Sequence, residues 1–88
     1  MSNLEKIWLH LFSGGVISDR GAMVKYGYGA FRSRVAEMRE IYRIEDRWIN
    51  LDIKGSKVRC KNYFICPEFL KTERAQSIKR HLTMKEVA

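Results

Sequence analysis

Leu4, Ile7, Trp8, Leu11 and Phe12 recur at the i, i+3, i+4, i+7, i+8 spacing that gives a helix one apolar stripe. A capping box opens it, because the Ser2 hydroxyl is placed to accept from the Glu5 N–H while the Glu5 carboxylate reaches back to Ser2. Gly14 and Gly15 stop it. His10 falls on the polar side, as a solvated histidine. Val16 and Ile17 form an apolar step with the character of a short strand. Ser18-Asp19 then caps a second helix running to about Tyr26, with Ala22, Met23 and Tyr26 inward. Gly27 is suited to end it with φ > 0. After Gly27-Tyr28-Gly29, the residues Phe31, Val35, Met38 and Tyr42 mark the inner face of a third helix. A rotation of about 100° per residue sets Gly29, Ser33, Ala36, Glu37 and Glu40 outward, with Arg32 and Arg39 on one flank and Arg34 on the other.

Beyond Arg47 the period changes to two. Ile49, Leu51 and Ile53 alternate with polar residues, Lys54-Gly55-Ser56-Lys57 supplies a turn, and Val58 to Cys66 is rich in β-branched and aromatic residues, so the segment reads as a β-hairpin ended by Pro67. Residues 68–88 are rich in helix formers but carry only a thin stripe of Leu70, Ile78 and Leu82, with Ala75 alongside. A docked helix, a dimerisation arm and a frayed tail are all open for that segment. The expected class is α+β, mainly α, divided into residues 1–67 and an extension of residues 68–88.

At 88 residues the chain is one small core. Its 45% hydrophobic and 31% charged residues are those of a folded domain, and no apolar run approaches the roughly 20 residues that span a bilayer. The expected location is cytoplasmic, without a membrane. Cys60 and Cys66 lack the close paired spacing of a zinc site and read as buried free thiols, so neither metal nor cofactor is expected. A glycine-rich phosphate loop and paired histidines are missing, as is a serine or cysteine beside a local base, so an enzyme is the weakest reading.

Charge distribution changes the picture most. The net charge is +7, yet from Arg20 to Ala36 there are four basic residues (Arg20, Lys25, Arg32, Arg34) and no acid, and from Ile53 to Pro67 four more (Lys54, Lys57, Arg59, Lys61) and again no acid. The other nine basic residues meet all ten acids. The excess is thus confined to two segments, which suits a polyanionic partner.

Helix, short strand, helix, helix and hairpin is the order of a winged helix-turn-helix, with three helices, a hairpin wing and here a C-terminal helical extension. The two basic segments then fall where such a domain meets double-stranded DNA: on the second and third helices and on the wing. This reading assigns base edges to Arg32, Ser33 and Ala36, and phosphates to Arg20, Lys25, Tyr28, Arg39, Lys54, Lys57 and Arg59. A module of this size buries on the order of 600–1,000 Å² on DNA, which leaves a homodimer through the C-terminal segment, or tandem occupancy, as the routes to tight binding.

The chain also resembles the small helix-turn-helix proteins of bacteriophages and prophages. The resemblance covers roughly residues 4–66 and is carried by Ser13-Gly14, Ile17-Ser18, Ala22, Tyr26-Gly27 and Arg34-Val35-Ala36-Glu37-Met38-Arg39, with Cys60, Tyr63 and Ile65 in the closing hairpin. It implies a DNA-binding accessory or regulatory domain of a mobile element, acting in processes such as transcription regulation. Two rivals remain. Glu37, Glu40, Glu45 and Asp46 form an acidic block suited to a protein partner, and Tyr63 and Phe64 in a basic strand suggest stacking on RNA bases.

Overall fold

The capping box forms as the sequence dictates: the Ser2 hydroxyl accepts from the Glu5 N–H at 3.1 Å, and the Glu5 carboxylate accepts from the Ser2 N–H at 3.1 Å. In the computed structural model, which describes residues 1–87, this cap opens α1 (Asn3–Phe12). There follow β1 (Ile17–Ser18), α2 (Asp19–Tyr26), α3 (Phe31–Tyr42), β2 (Ile44–Ile53), β3 (Ser56–Ile65), α4 (Pro67–Leu70) and α5 (Glu73–Val87). The class is α+β, with one three-stranded antiparallel sheet in the order β1-β3-β2.

Ser18 caps α2 by accepting from the Gly21 N–H at 2.9 Å, and Gly27, at φ 66°, ends it. The apolar stripe of α3 is inward as its period requires, with Phe31 and Val35 buried and Met38 and Tyr42 packed at the core's margin. Trp8 and Phe12 lock α1 to this stripe through ring centroids 5.6 Å apart for Trp8–Phe31, 5.3 Å for Trp8–Tyr42 and 5.0 Å for Phe12–Tyr42. Such pairs contribute about 0.5–1.5 kcal/mol each beyond the area they bury. Burial there pushes the Tyr42 hydroxyl above its usual pKa, and Arg74 partly offsets the rise.

Several sequence expectations are corrected. Met23 is 52% exposed rather than inward. Its thioether lies over Gly29, where a Cβ would come within 2.6 Å of the Met23 methyl. His10 is half-buried and bonded, with Nε2 2.9 Å from the Val16 carbonyl, so it is a structural clip rather than a solvated side chain. The cysteines are free but only half-buried. The second strand starts earlier than the sequence pattern suggests, at Ile44, because Arg43 adopts a left-handed conformation (φ 55°) and ends α3 without a glycine. The hairpin turn is tighter than expected: Lys54 (φ 51°) and Gly55 (φ 82°) form a two-residue type I′ turn, and Ser56 and Lys57 already belong to β3.

The hairpin projects. Ten-residue strands span roughly 33 Å, and the molecule measures 43 × 28 × 20 Å, with a radius of gyration of 13.6 Å. About 12 Å is usual for a chain of this length. The sheet is anchored at its root by Ile44, Tyr63 and Ile65, whose side chains share the buried face. By alternation Ile49, Leu51 and Ile53 lie on the opposite face, with Val58 and Cys60 across from them. Their period marked a strand correctly, but not one that faces the core.

Residues 68–87 dock. Ala75 and Leu82 of α5 are buried in the common core, Leu70 and Ile78 pack beside them, and Lys85 Nζ lies 2.6 Å from Glu5 Oε2 on α1. The thin stripe is therefore satisfied within the chain, as a docked helix and not a frayed tail.

Two outcomes are expected. The Glu5 carboxyl is lowered from 4.5 to about 2, first by the Lys85 hydrogen bond and then by Ser2. Folding therefore favours its ionised form, and that stabilisation is present above about pH 4.5 and lost as the pH falls toward about 2. Melting curves of Glu5→Gln should depend less on pH across that window than those of the parent; an unchanged acid limb would refute the latch. At Gly15, an added Cβ would lie 2.6 Å from His10 Nε2 and 2.8 Å from the His10 carbonyl oxygen. Gly15→Ala should therefore destabilise by about 1–3 kcal/mol in denaturant unfolding.

Candidate nucleic-acid interface

Strand β3 sets the geometry. Tyr63 faces the core, so Lys61, Arg59 and Lys57, each two residues apart, point to the same side of the sheet. Trp48 lies directly opposite Lys61 and diagonal to Arg59. The Arg59 guanidinium carbon is 4.5 Å from the Trp48 ring centroid and Lys61 Nζ 5.1 Å, so one indole holds two cations. Trp48 is nevertheless 53% exposed, whereas Trp8 is 6% exposed.

Facing this part of the hairpin are the start of α2 and the start of α3. Arg20, Arg32, Trp48, Arg59 and Lys61 line an open cleft of about 370 Å³, joined by Asp19 and, at its inner wall, Tyr63. Three predicted residues, Arg20, Arg32 and Arg59, thus meet although they come from three elements. Lys61 and Trp48 were not among the sequence-based candidates. The signal was present, since Lys57, Arg59 and Lys61 share one strand parity and pairing the hairpin through its turn puts Trp48 across from Lys61.

The start of α3 adds to this side. Its cap position is Ala30, which provides no side-chain hydrogen bond, so N–H groups of the first turn lack a capping partner. The first turn has no acid and carries Arg32. A helix N-terminus disfavours cations by about 0.3–1 kcal/mol each, so the arrangement costs stability in the free protein and suits an anion. Ser33 and Ala36 are exposed on the same helix.

The remaining predicted residues divide. Lys54 and Lys57 are exposed at the hairpin tip, on the continuation of the cationic strand. Lys25 lies elsewhere, 5.5 Å from the Tyr26 ring centroid and beside Val16 and Val24. Tyr28 is half-buried against the core. Arg39 is committed internally, with Nε donating to the Ile44 carbonyl at 3.2 Å and a terminal nitrogen to Asp46, so it ties the end of α3 to β2. Arg34 pairs with Glu37 at 3.0 Å, as residues three apart on a helix can. Two of the four acids in the acidic block, Glu37 and Asp46, are thereby paired within the chain. Of the two aromatics considered for stacking on RNA, Tyr63 is buried and Phe64 is half-buried near Arg47.

No group of three or more His, Cys, Asp or Glu side chains is gathered to hold a metal ion, and no helix is long and apolar enough to cross a membrane, among the described residues. No protein-family model matches the sequence, and comparison with curated proteins and with solved structures finds no match.

The internal role of Arg39 is testable. Arg39→Ala should lower stability by about 1–2 kcal/mol in denaturant unfolding while leaving the salt dependence of any nucleic-acid binding unaltered. A shallower salt slope at unchanged stability would return Arg39 to the binding surface.

Proposed function

We propose that this chain is a winged helix-turn-helix domain that binds double-stranded DNA, with α3 presented to the major groove and the β2–β3 hairpin lying along the backbone as the wing. The element order and the β1-β3-β2 sheet order support that architecture. One observation carries the functional reading: Arg20, Arg32, Arg59 and Lys61, drawn from α2, α3 and β3, converge on one cleft beside the uncapped start of α3. The turn supports it as well. A type I′ turn prefers Asn, Asp or Gly at its first central position, and this chain keeps Lys54 there at φ 51°.

In this mechanism Arg32, Ser33 and Ala36 face base edges, Arg32 being suited to a bidentate contact with guanine. Arg20, Lys54, Lys57, Arg59 and Lys61 hold phosphates and fix the register of α3 in the groove. The resemblance to small phage helix-turn-helix proteins extends the proposal to an accessory or regulatory role in a mobile element. The stripe of α5 that a dimer would have used is occupied by α1 and the core, so symmetric binding would need another surface.

Fluorescence anisotropy against random and selected duplexes across a salt series tests the reading. Five phosphate contacts predict a slope of about −4.5 in log affinity against log salt, and Lys57→Ala should make it shallower by about one unit for every sequence. Arg32→Ala should instead flatten the preference among selected duplexes. Absence of duplex binding at low salt would overturn the proposal. A second variant separates turn strain from binding: Lys54→Asn should raise stability by about 0.5–1 kcal/mol while weakening duplex affinity.

A further inference from the structure

Trp48 gathers Arg59 and Lys61, but phosphate binding does not explain why the indole stays 53% exposed. A wing that only tracks a backbone needs cations, yet this one exposes half an indole at the floor of its most basic cleft. The cleft is open and about 370 Å³ in volume, and its one exposed indole is a platform for a single base. Asp19 is the second anomaly. A carboxylate in a phosphate-binding cleft repels its ligand, and here Asp19 lines the cleft with Oδ1 buried, which leaves Oδ2 as the oxygen open to a ligand. A base with an exocyclic amino group would donate to that oxygen, as cytosine N4 does to acidic side chains.

We infer that the cleft between the start of α2, the start of α3 and the hairpin receives a single unstacked nucleotide of a DNA duplex, its base on Trp48 and its flanking phosphates on Arg20, Arg59 and Lys61. Asp19 then favours an amino-bearing base over thymine. This rests on the DNA-binding reading above and narrows its substrate to duplexes with an unpaired or easily extruded base. Stacking on an aromatic side chain tolerates any base, so the Trp48 contact recognises an extruded base in general and Asp19 adds the discrimination. Extrusion costs least where a base already lacks a partner, which makes a bulge the appropriate probe.

The test uses the full chain and four labelled duplexes of one sequence: intact, with one bulged cytosine, with one bulged thymine, and with one bulged abasic site. Anisotropy gives affinities and tryptophan emission reports stacking, since Trp8 is buried and Trp48 is exposed. The cytosine bulge should bind about tenfold more tightly than the abasic bulge, with quenching of the emission. It should also exceed the thymine bulge by about fivefold. Trp48→Leu should bring the cytosine-to-abasic ratio near one, Trp48→Tyr should restore most of it, and Asp19→Ala should equalise cytosine and thymine. Equal affinity for the cytosine and abasic bulges without quenching, alongside salt-steep binding of the intact duplex, would overturn this inference and leave the DNA reading intact. Failure to bind any of the four duplexes would overturn both.

Discussion

Tyr63 is the position on which the remaining geometry depends. Its backbone pairs with Ile17 of β1 on one side and Asp46 of β2 on the other, and its ring meets Phe31 of α3 edge-on, with centroids 5.7 Å apart. Because strand side chains alternate, burying Tyr63 also assigns Lys61, Arg59 and Lys57 to the face that looks toward α3. A slip of one residue would turn all three cations away and bring Asn62 or Phe64 to the core, a strongly disfavoured exchange. The core thus sets the register, and the register aims the charges.

A projecting two-stranded ribbon is marginal by itself, since most of it lies beyond the core. Trp48 gives it stiffness on the cleft side by gathering Arg59 and Lys61, while the paired Asp52 and Lys57 add a cross-strand charge match near the tip. The cations are therefore held near one another before any ligand arrives, against their mutual repulsion, and α3 starts without a cap beside them. Nothing in folding requires such local conflicts in a small domain. The Arg39–Asp46 pair shows the opposite case: two charges near the same helix that serve the joint between α3 and β2.

Most of the fold was legible in the sequence because its signals are local. The capping box at Ser2 and Glu5, the cap at Ser18, the left-handed Gly27 and the stripe of α3 each act within one or two turns, and each forms as read. The end of α3 was hidden, since Arg43 takes a conformation that usually announces itself by glycine. Docking of α5 was also hidden. Its few apolar residues suffice only because α1 offers them a complementary surface and Glu5 meets Lys85 across 80 residues of sequence. In the candidate site, Arg20, Arg32 and Arg59 were legible from charge segregation, whereas the separation of Lys25, Tyr28 and Arg39 from them depends on packing between elements. Trp48 escaped because its role appears only when the hairpin register is known.

The claim that one face, set by the register at Tyr63, meets the nucleic acid is tested most directly by amide and indole chemical-shift mapping on adding a short duplex DNA. Perturbations confined to the indole N–H of Trp48, the backbone of Arg59 and Lys61, and the first turns of α2 and α3 are the predicted result. Shifts concentrated instead on Glu40, Ile41, Phe69 and Arg74, which line a groove between α3 and α4–α5, with the cleft silent, would contradict it.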